Sequence, residues 1–204
     1  MKEENYLFFW GHTPKDENTI GQECLSQWYP CEFEEDITDI MGNVFITAHY
    51  NCAEQFMMAK KALLFDDQLT HTAIMDNSIK PDPKRYKELG RQIKNFNQKI
   101  WDEKKKDIVR TGNLLKFSQN QKLFEYLIGT YPKKIVEASP YDRIWGIGYS
   151  KDDAMSHKSS WGQNLLGETL MFVREELGFK VVAIGLNGGK GRTDKLTQPK
   201  YVLR

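Results

Sequence analysis

The run Ala53-Glu54-Gln55-Phe56-Met57-Met58-Ala59-Lys60-Lys61-Ala62 sets a carboxylate and an amine on one face of a predicted helix. At 100° per residue, Glu54 and Lys61 differ by about 20° in azimuth and lie roughly 10 Å apart along the axis. A sugar-sized substrate fits between two long side chains so placed, within reach of an acid at one end and an amine at the other. Lys60 points away from that face. The same residues also have a structural reading: Asn51-x-x-Glu54 fits a capping box with Asn51 as N-cap, and Lys61 fits a solvated surface lysine. The spacing alone leaves both readings open.

A second candidate is Ser139-Pro140-Tyr141-Asp142-Arg143-Ile144-Trp145-Gly146-Ile147-Gly148, where a short acid and a tryptophan sit among turn formers just after a predicted strand. Trp145 offers a broad π-face for a nucleobase, and Asp142 an acceptor for sugar hydroxyls or an attacking water. The structural alternative is an aspartate capping a turn and a tryptophan in the core. Other motifs fail. Gly185-Leu186-Asn187-Gly188-Gly189-Lys190-Gly191 lacks the spacing of a phosphate loop and has Gly191 where Ser or Thr should stand. Gly146-Ile147-Gly148 lacks the third glycine of a dinucleotide fingerprint and reads as a turn. His12, His49, His71 and His157 show no zinc spacing with one another or with the cysteines, so no metal is expected.

The elements that must carry these residues follow from periodicity. Tyr6 to Trp10 and Val44 to Ala48 are β-rich and read as a small sheet, joined by a polar connection from about Gly11 to Gly42. From Ala53 the period becomes helical, with further helices near 66–76 and 82–95, broken at Pro81 and Pro83. A longer helix from about Gln98 to Leu115 carries Ile100, Trp101, Ile108, Val109 and Leu115, while Glu103-Lys104-Lys105-Lys106 lies toward solvent. Ser118 is read as the N-cap of a helix through Leu123 and Leu127 that ends at Gly129. Ile135 to Ala138 reads as a short strand. Asn164 to Leu177 shows Leu166, Leu170, Val173 and Leu177 at helical spacing, with Gly178 as its stop and a mobile tail beyond. The expected fold class is α+β, a mostly helical single domain over residues 1–178 with a small β-sheet and a C-terminal extension over 179–204.

Bulk properties agree with one compact domain. The 204 residues, 40% hydrophobic, support a core without staples. Twenty-nine Lys and Arg against 28 Asp and Glu give a net charge of +1, so no global field marks a polyanionic partner. Cys24, Cys31 and Cys52 are odd in number, as expected for reduced thiols in a cytoplasmic or nuclear compartment. The apolar run Tyr6 to Trp10 is too short for a signal sequence, and no stretch is long enough to cross a membrane.

The order of the pieces resembles the NADAR family, also known as YbiA-like proteins, from about Tyr6 to Leu177. Leu25-Ser26-Gln27-Trp28 stands where the family tends to show Ser-Asn-Phe. Ala53-Glu54-Gln55-Phe56 with Lys61-Ala62 matches its Ser-Glu-His-x-x-Gln-x-x-Lys helix. Gly90-Arg91, Trp101-Asp102, Lys116-Phe117-Ser118-Gln119-Asn120, Val136-Glu137-Ala138-Ser139, Asp142-x-x-Trp145-Gly146-x-Gly148 and Asn164-Leu165-Leu166-Gly167 follow in order. Eight pieces in one order are a specific signal. Gln27, Gln55 and Met58 depart from the usual Asn, His and Gln, which bears on secondary substrate contacts.

The resemblance implies the NADAR fold and an N-glycosidase without cofactor, hydrolysing a bond between ribose C1 and a nitrogen. It implies Glu54, Lys61 and Asp142 as catalytic residues, with Lys61 able to attack the sugar as an imine-forming nucleophile. Substrate contacts would come from Trp101, Trp145, Arg91, Ser26, Gln27 and Asn164. The substrates implied are small nucleotide or ADP-ribose-type molecules, foremost guanine carrying ADP-ribose, free or on DNA or RNA. Phosphoribosylamino-pyrimidine intermediates of riboflavin synthesis are the alternative. A non-catalytic ADP-ribose-binding module is the alternative of another class.

Overall fold

The computed structural model describes residues 5–14, 16 and 19–186, with side chains described as far as Phe179. The predicted extension therefore lies outside the described residues from 187 onward. The architecture is α+β and mostly helical, and it divides into two compact units, one built from Met1–Tyr29 and Gln121–Ala183 and the other around Pro30–Asn120.

In the first unit β1 (Tyr6–Phe9) pairs in parallel with a strand at Lys134–Glu137, Tyr6 opposite Lys134 and Phe9 opposite Glu137. Parallel pairing places the carboxyl ends of both strands at one edge, so the segments that leave them emerge side by side. Tyr6, Phe8, Val136, Ala138, Ile147 and Ala154 form the core, with Tyr149, Met155 and Trp161 packed against it.

In the second unit β2 (Phe33–Thr38) and β3 (Val44–Tyr50) form an antiparallel hairpin, Phe33 opposite Tyr50. The predicted single sheet of Tyr6–Trp10 with Val44–Ala48 is therefore two separate ladders. The strand at Lys134–Glu137 becomes β4 in chain order. β2 lies inside what the sequence suggests is an irregular connection. Its acids hide it: Glu35 pairs with Lys60 at 2.6 Å and accepts from the Tyr50 hydroxyl at 3.0 Å, Asp36 accepts from Thr47 at 2.8 Å, and Glu34 meets His49 at 3.1 Å. Phe33, Tyr50 and Phe56 cluster beneath the hairpin, whereas Val44, Phe45 and Ile46 are exposed.

α1 (Ala53–Leu64) packs on α2 (Gln68–Met75), α3 (Pro83–Arg91) and α4 (Gln98–Gln119). Each of the last three has a side-chain N-cap. Asp67 accepts from Thr70 N–H, Asp82 from Lys84 N–H with Pro83 in the first turn, and Asn97 from Ile100 N–H. α4 runs past the predicted end at Leu115, so Ser118 lies inside it and donates to the Leu115 carbonyl rather than capping the next helix. Lys105, expected in solvent with its neighbours, is buried and paired with Asp102.

In the first unit α5 (Gln121–Gly129), the four-residue α6 (Lys151–Ala154) and α7 (Leu165–Leu186) complete the helices. α7 begins where the spacing predicts but continues through Gly178. Gly178 has no left-handed φ, and the nearest atom to a Cβ built there is Ile128 Cδ1 at 3.8 Å, so the backbone makes no turn and the helix has no reason to stop. Among the described residues, no helix is long and apolar enough to cross a membrane.

Candidate active site

The candidate residues fall into two sets, one in each unit. In the second unit, Glu54 and Lys61 sit at opposite ends of α1. Cys52 is the N-cap of this helix and makes no side-chain cap. The predicted capping box is absent: Gln55, not Glu54, reaches back, its Oε1 accepting from the Asn51 N–H at 2.7 Å while its Nε2 donates to the Ile74 carbonyl at 2.9 Å. Gln55 is completely buried in this role, which accounts for one departure from the family pattern as a structural substitution. Glu54 is buried in the first turn, where the positive end of the helix dipole favours a carboxylate.

Lys61 is half-buried and enclosed by groups from outside its helix. Its Nζ donates to the Gly90 carbonyl at 2.7 Å and lies 4.5 Å from the Phe96 ring centroid and 5.3 Å from that of Trp101. Burial pushes its pKa below the ordinary lysine value, and the Glu54 carboxylate pulls it back up. The two groups predicted to share a face thus act on each other electrostatically. Lys60 does point elsewhere, as expected. It is not in open solvent, because Glu35 holds it and its Nζ lies 5.4 Å from the Phe56 ring centroid.

The enclosure depends on close backbone approach. A Cβ at Gly90 would fall 2.0 Å from Met58 Sδ, so any larger residue there would have to displace the Met58 side chain that packs between α1 and the end of α3. Met58, another departure from the family pattern, fills that contact. Asp67 anchors the following turn by accepting from Lys94 N–H at 2.9 Å, and Asn95 takes a left-handed φ of 56° just before Phe96. Trp101 is buried on the first turn of α4, with 8% of its surface exposed. Arg91, next to Gly90, is exposed at the end of α3. Gly90's carbonyl and Phe96 are site residues that the sequence reading missed. The left-handed Asn95 before an aromatic is a faint signal, and nothing in the spacing ties either group to Lys61.

In the first unit, Asp142 and Trp145 follow β4. Asp142 Oδ1 accepts from the N–H groups of both Ile144 and Trp145 at 2.8 Å, so the aspartate does cap this turn, and Trp145 is partly exposed rather than sealed in the core. A Cβ on Gly146 would lie 2.8 Å from the Glu137 carbonyl oxygen, so this glycine serves the close packing of a turn. Asn164, with φ of 51°, spends its side chain on β4: Oδ1 accepts from Glu137 N–H at 2.9 Å and Nδ2 donates to the Ile135 carbonyl at 3.0 Å. These bonds tie the start of α7 to β4. Ser26 Oγ accepts from Trp28 N–H at 3.2 Å. Gln27 is buried, and its Nε2 has no hydrogen-bond partner among the described residues, a donor whose desolvation is uncompensated until something accepts from it. A separate polar cleft of about 310 Å³ along β2 and β3, with Asn51 and Gln119, is lined by none of the candidate residues.

The NADAR domain profile matches residues 8–178. This chain belongs to the NADAR family. It is 46% identical over 178 residues to an N-glycosidase of Acanthamoeba polyphaga mimivirus, covering 86% of this chain and 98% of that protein. It is 41% identical over 161 residues to the protein irg-1 of Caenorhabditis elegans, covering 75% of this chain and 74% of that one. The NMR structure of the Escherichia coli protein YbiA superposes with a TM-score of 0.63 at 22% identity, covering 95% of this chain and 94% of that one, a likeness of fold.

Proposed function

We propose that this NADAR protein is an N-glycosidase that cleaves the bond between ribose C1 and a nitrogen, and that its substrate is guanine carrying ADP-ribose, as a nucleoside or in nucleic acid. The observation that carries the reading is Lys61: a desolvated amine held by the Gly90 carbonyl, Phe96 and Trp101 on the same helix as the buried Glu54. The N-glycosidase name of the mimivirus relative, which matches over almost its whole length, supports the reaction class.

The chemistry follows from the two groups. Cleavage of a C1–N glycosidic bond passes through an oxocarbenium-like state, so a proton delivered to the departing nitrogen and electron density supplied at C1 both lower the barrier. Glu54 in its acid form donates the proton as the C1–N electron pair moves onto the base. Neutral Lys61 adds its amine lone pair to C1 and returns a proton to the Glu54 carboxylate, and the ribose ring then opens to the imine as the C1–O bond breaks and the remaining N–H proton passes to the ring oxygen. Water then adds to the imine carbon, releasing ADP-ribose and restoring the amine. Net, one water is consumed and one glycosidic bond is broken. Trp101 bounds the position of the sugar beside Lys61, and Arg91 supplies a planar fork for phosphate.

Mass-spectrometric turnover assays on ADP-ribosylated guanosine and on a phosphoribosylamino-pyrimidine test the reading. Release of guanosine from the first is expected. Turnover of only the second would overturn the substrate assignment, and tight ADP-ribose binding without turnover of either would replace the enzyme with a binding module.

A further inference from the structure

β1 and β4 run parallel, and the Ala138 N–H donates to the Phe9 carbonyl at 2.8 Å, so the chain leaves both strands side by side at their carboxyl ends. The two segments that leave there each present an aromatic ring. Trp10 follows β1 directly, and Tyr141 follows the Ser139-Pro140 turn after β4, one residue before Asp142. Their centroids are 6.2 Å apart with the planes tilted 56°, yet Trp10 is 57% exposed and Tyr141 87% exposed. The rings pair with each other and both keep more than half of their surface open to solvent.

Single exposed apolar side chains need no explanation, but a paired tryptophan and tyrosine left in water do. A tilt of 56° opens a wedge, so each ring keeps a π-face that the other does not cover. The backbone underneath is fixed. Gly11 turns the chain with φ of 85°, Ser139 Oγ accepts from Tyr141 N–H at 3.4 Å, and Asp142 caps the turn that follows. The position is the carboxyl edge of a parallel strand pair, where α/β proteins collect ligands. A second aromatic contact, His12 against Trp28 at 5.4 Å, continues from the same β1 segment into the loop that holds Gln27 with its unpartnered amide.

We infer that Trp10 and Tyr141 form a stacking platform for a nucleobase of a nucleotide ligand. The choice of a nucleobase as occupant rests on the nucleotide-type substrate proposed above. Base–aromatic stacking tolerates any base and needs no hydrogen-bond code, which suits a pair of exposed rings. The base comes from one of two sources, the adenine of ADP-ribose or a neighbouring base of a nucleic-acid strand.

Calorimetric titration of the full chain with ADP-ribose, with a short single-stranded oligodeoxythymidylate and with ribose 5-phosphate separates these sources. Trp10→Ala and Tyr141→Ala are each expected to weaken a base-bearing ligand roughly 5- to 150-fold, with Trp10→Phe retaining most of the affinity and ribose 5-phosphate unaffected. Weakening confined to ADP-ribose places its adenine on the platform, and weakening confined to the oligonucleotide places a strand base there. Phe45→Ala, exposed on the hairpin, serves as the control with unchanged binding. Unchanged affinity of both base-bearing ligands in both alanine variants, no binding of either by the wild type, or an equal loss for ribose 5-phosphate would overturn the platform. These readouts are binding constants, so absence of glycosidase turnover would defeat the functional reading without deciding this one.

Discussion

Lys61 donates to the carbonyl oxygen of Gly90, 29 residues further along the chain, at 2.7 Å. That acceptor is within reach because Gly90 lies against Met58 with no side chain between them. Gly90→Ala must push Met58 aside, and overpacking of this kind costs about 1–3 kcal/mol. Thermal unfolding should show that loss. In Gly90→Ala/Met58→Ala the destabilisation should be smaller than the sum of the two single variants, because the clash is gone. Strict additivity would mean that the two residues do not constrain each other.

Glu54→Gln removes the acid while keeping the shape of the first turn. Turnover should fall by about two to four orders of magnitude, the usual scale for a positioned acid or base. The melting temperature should change little, since Gln has nearly the size and shape of Glu and Gln55 still ties the start of α1 to Asn51. A near-wild-type rate would remove Glu54 from the reaction.

The face shared by Glu54 and Lys61 is legible in the sequence because helical periodicity fixes azimuth within one element. What the two groups meet is not, since the Gly90 carbonyl and Phe96 arrive from a helix end and a turn whose placement depends on Asp67, Asn95 and the Gly90–Met58 contact. β2 is hidden for a different reason. Glu34, Glu35 and Asp36 in succession look like a solvated loop until Lys60, Tyr50, Thr47 and His49 supply their partners. Lys105 shows the converse: in a run of four charges one side chain turns inward and pairs with Asp102, a choice that composition does not encode.

The pH dependence follows from the depressed pKa of Lys61. Below its folded value the amine is charged in both folded and unfolded chains, and burying that charge costs stability in full. As pH rises through the folded value toward the ordinary 10.5, the folded chain sheds its proton first and stability climbs, levelling above 10.5. Denaturant titrations of wild type and Lys61→Met across this range should show the wild type gaining on the variant as pH rises. A constant difference would mean that Lys61 has the same pKa folded and unfolded. The wild-type rate should stay level below the Lys61 value and fall above it, because the reaction needs the neutral amine together with the acid form of Glu54, and each proton shed by Glu54 is offset by one shed by Lys61 only until the lysine is fully neutral. In Glu54→Gln the residual rate needs only the neutral amine and should rise with pH, along a limb moved to lower pH because the carboxylate that raises the lysine pKa is gone.

Two glycines of α7 should respond in opposite directions. Gly178 lies in the helix interior with nothing closer to a built Cβ than Ile128 at 3.8 Å, so Gly178→Ala should stabilise by about 0.5–1 kcal/mol. A Cβ at Gly167 would fall 2.2 Å from the Ile135 carbonyl oxygen and 2.5 Å from Asn164 Nδ2. Backbone cannot yield as a side chain does, so Gly167→Ala should destabilise by about 3 kcal/mol or more, through strain where α7 leaves β4. Thermal melts of both variants decide the matter, and a destabilised Gly178→Ala would restore Gly178 as a helix stop.

Lys60 and Lys61 provide the sharpest comparison, because adjacent lysines on one helix face different partners. Borohydride added during turnover should reduce the imine and leave a ribose-derived adduct that peptide mapping places on Lys61. Lys61→Ala should lose the adduct and most of the activity. Lys60→Ala should keep the adduct, but it is not a silent control: it strips Glu35 of the ammonium 2.6 Å away and leaves a carboxylate with only 7% of the residue exposed. Breaking a buried pair from one side costs about 3–5 kcal/mol, and Lys60→Met keeps part of the buried stem while removing the charge in the same way, so both should melt early. Glu35→Gln/Lys60→Met removes both charges and should recover much of that loss while still trapping on Lys61. An adduct on Lys60, or full activity in Lys61→Ala, would end the covalent mechanism and leave Glu54 with water as the catalytic pair.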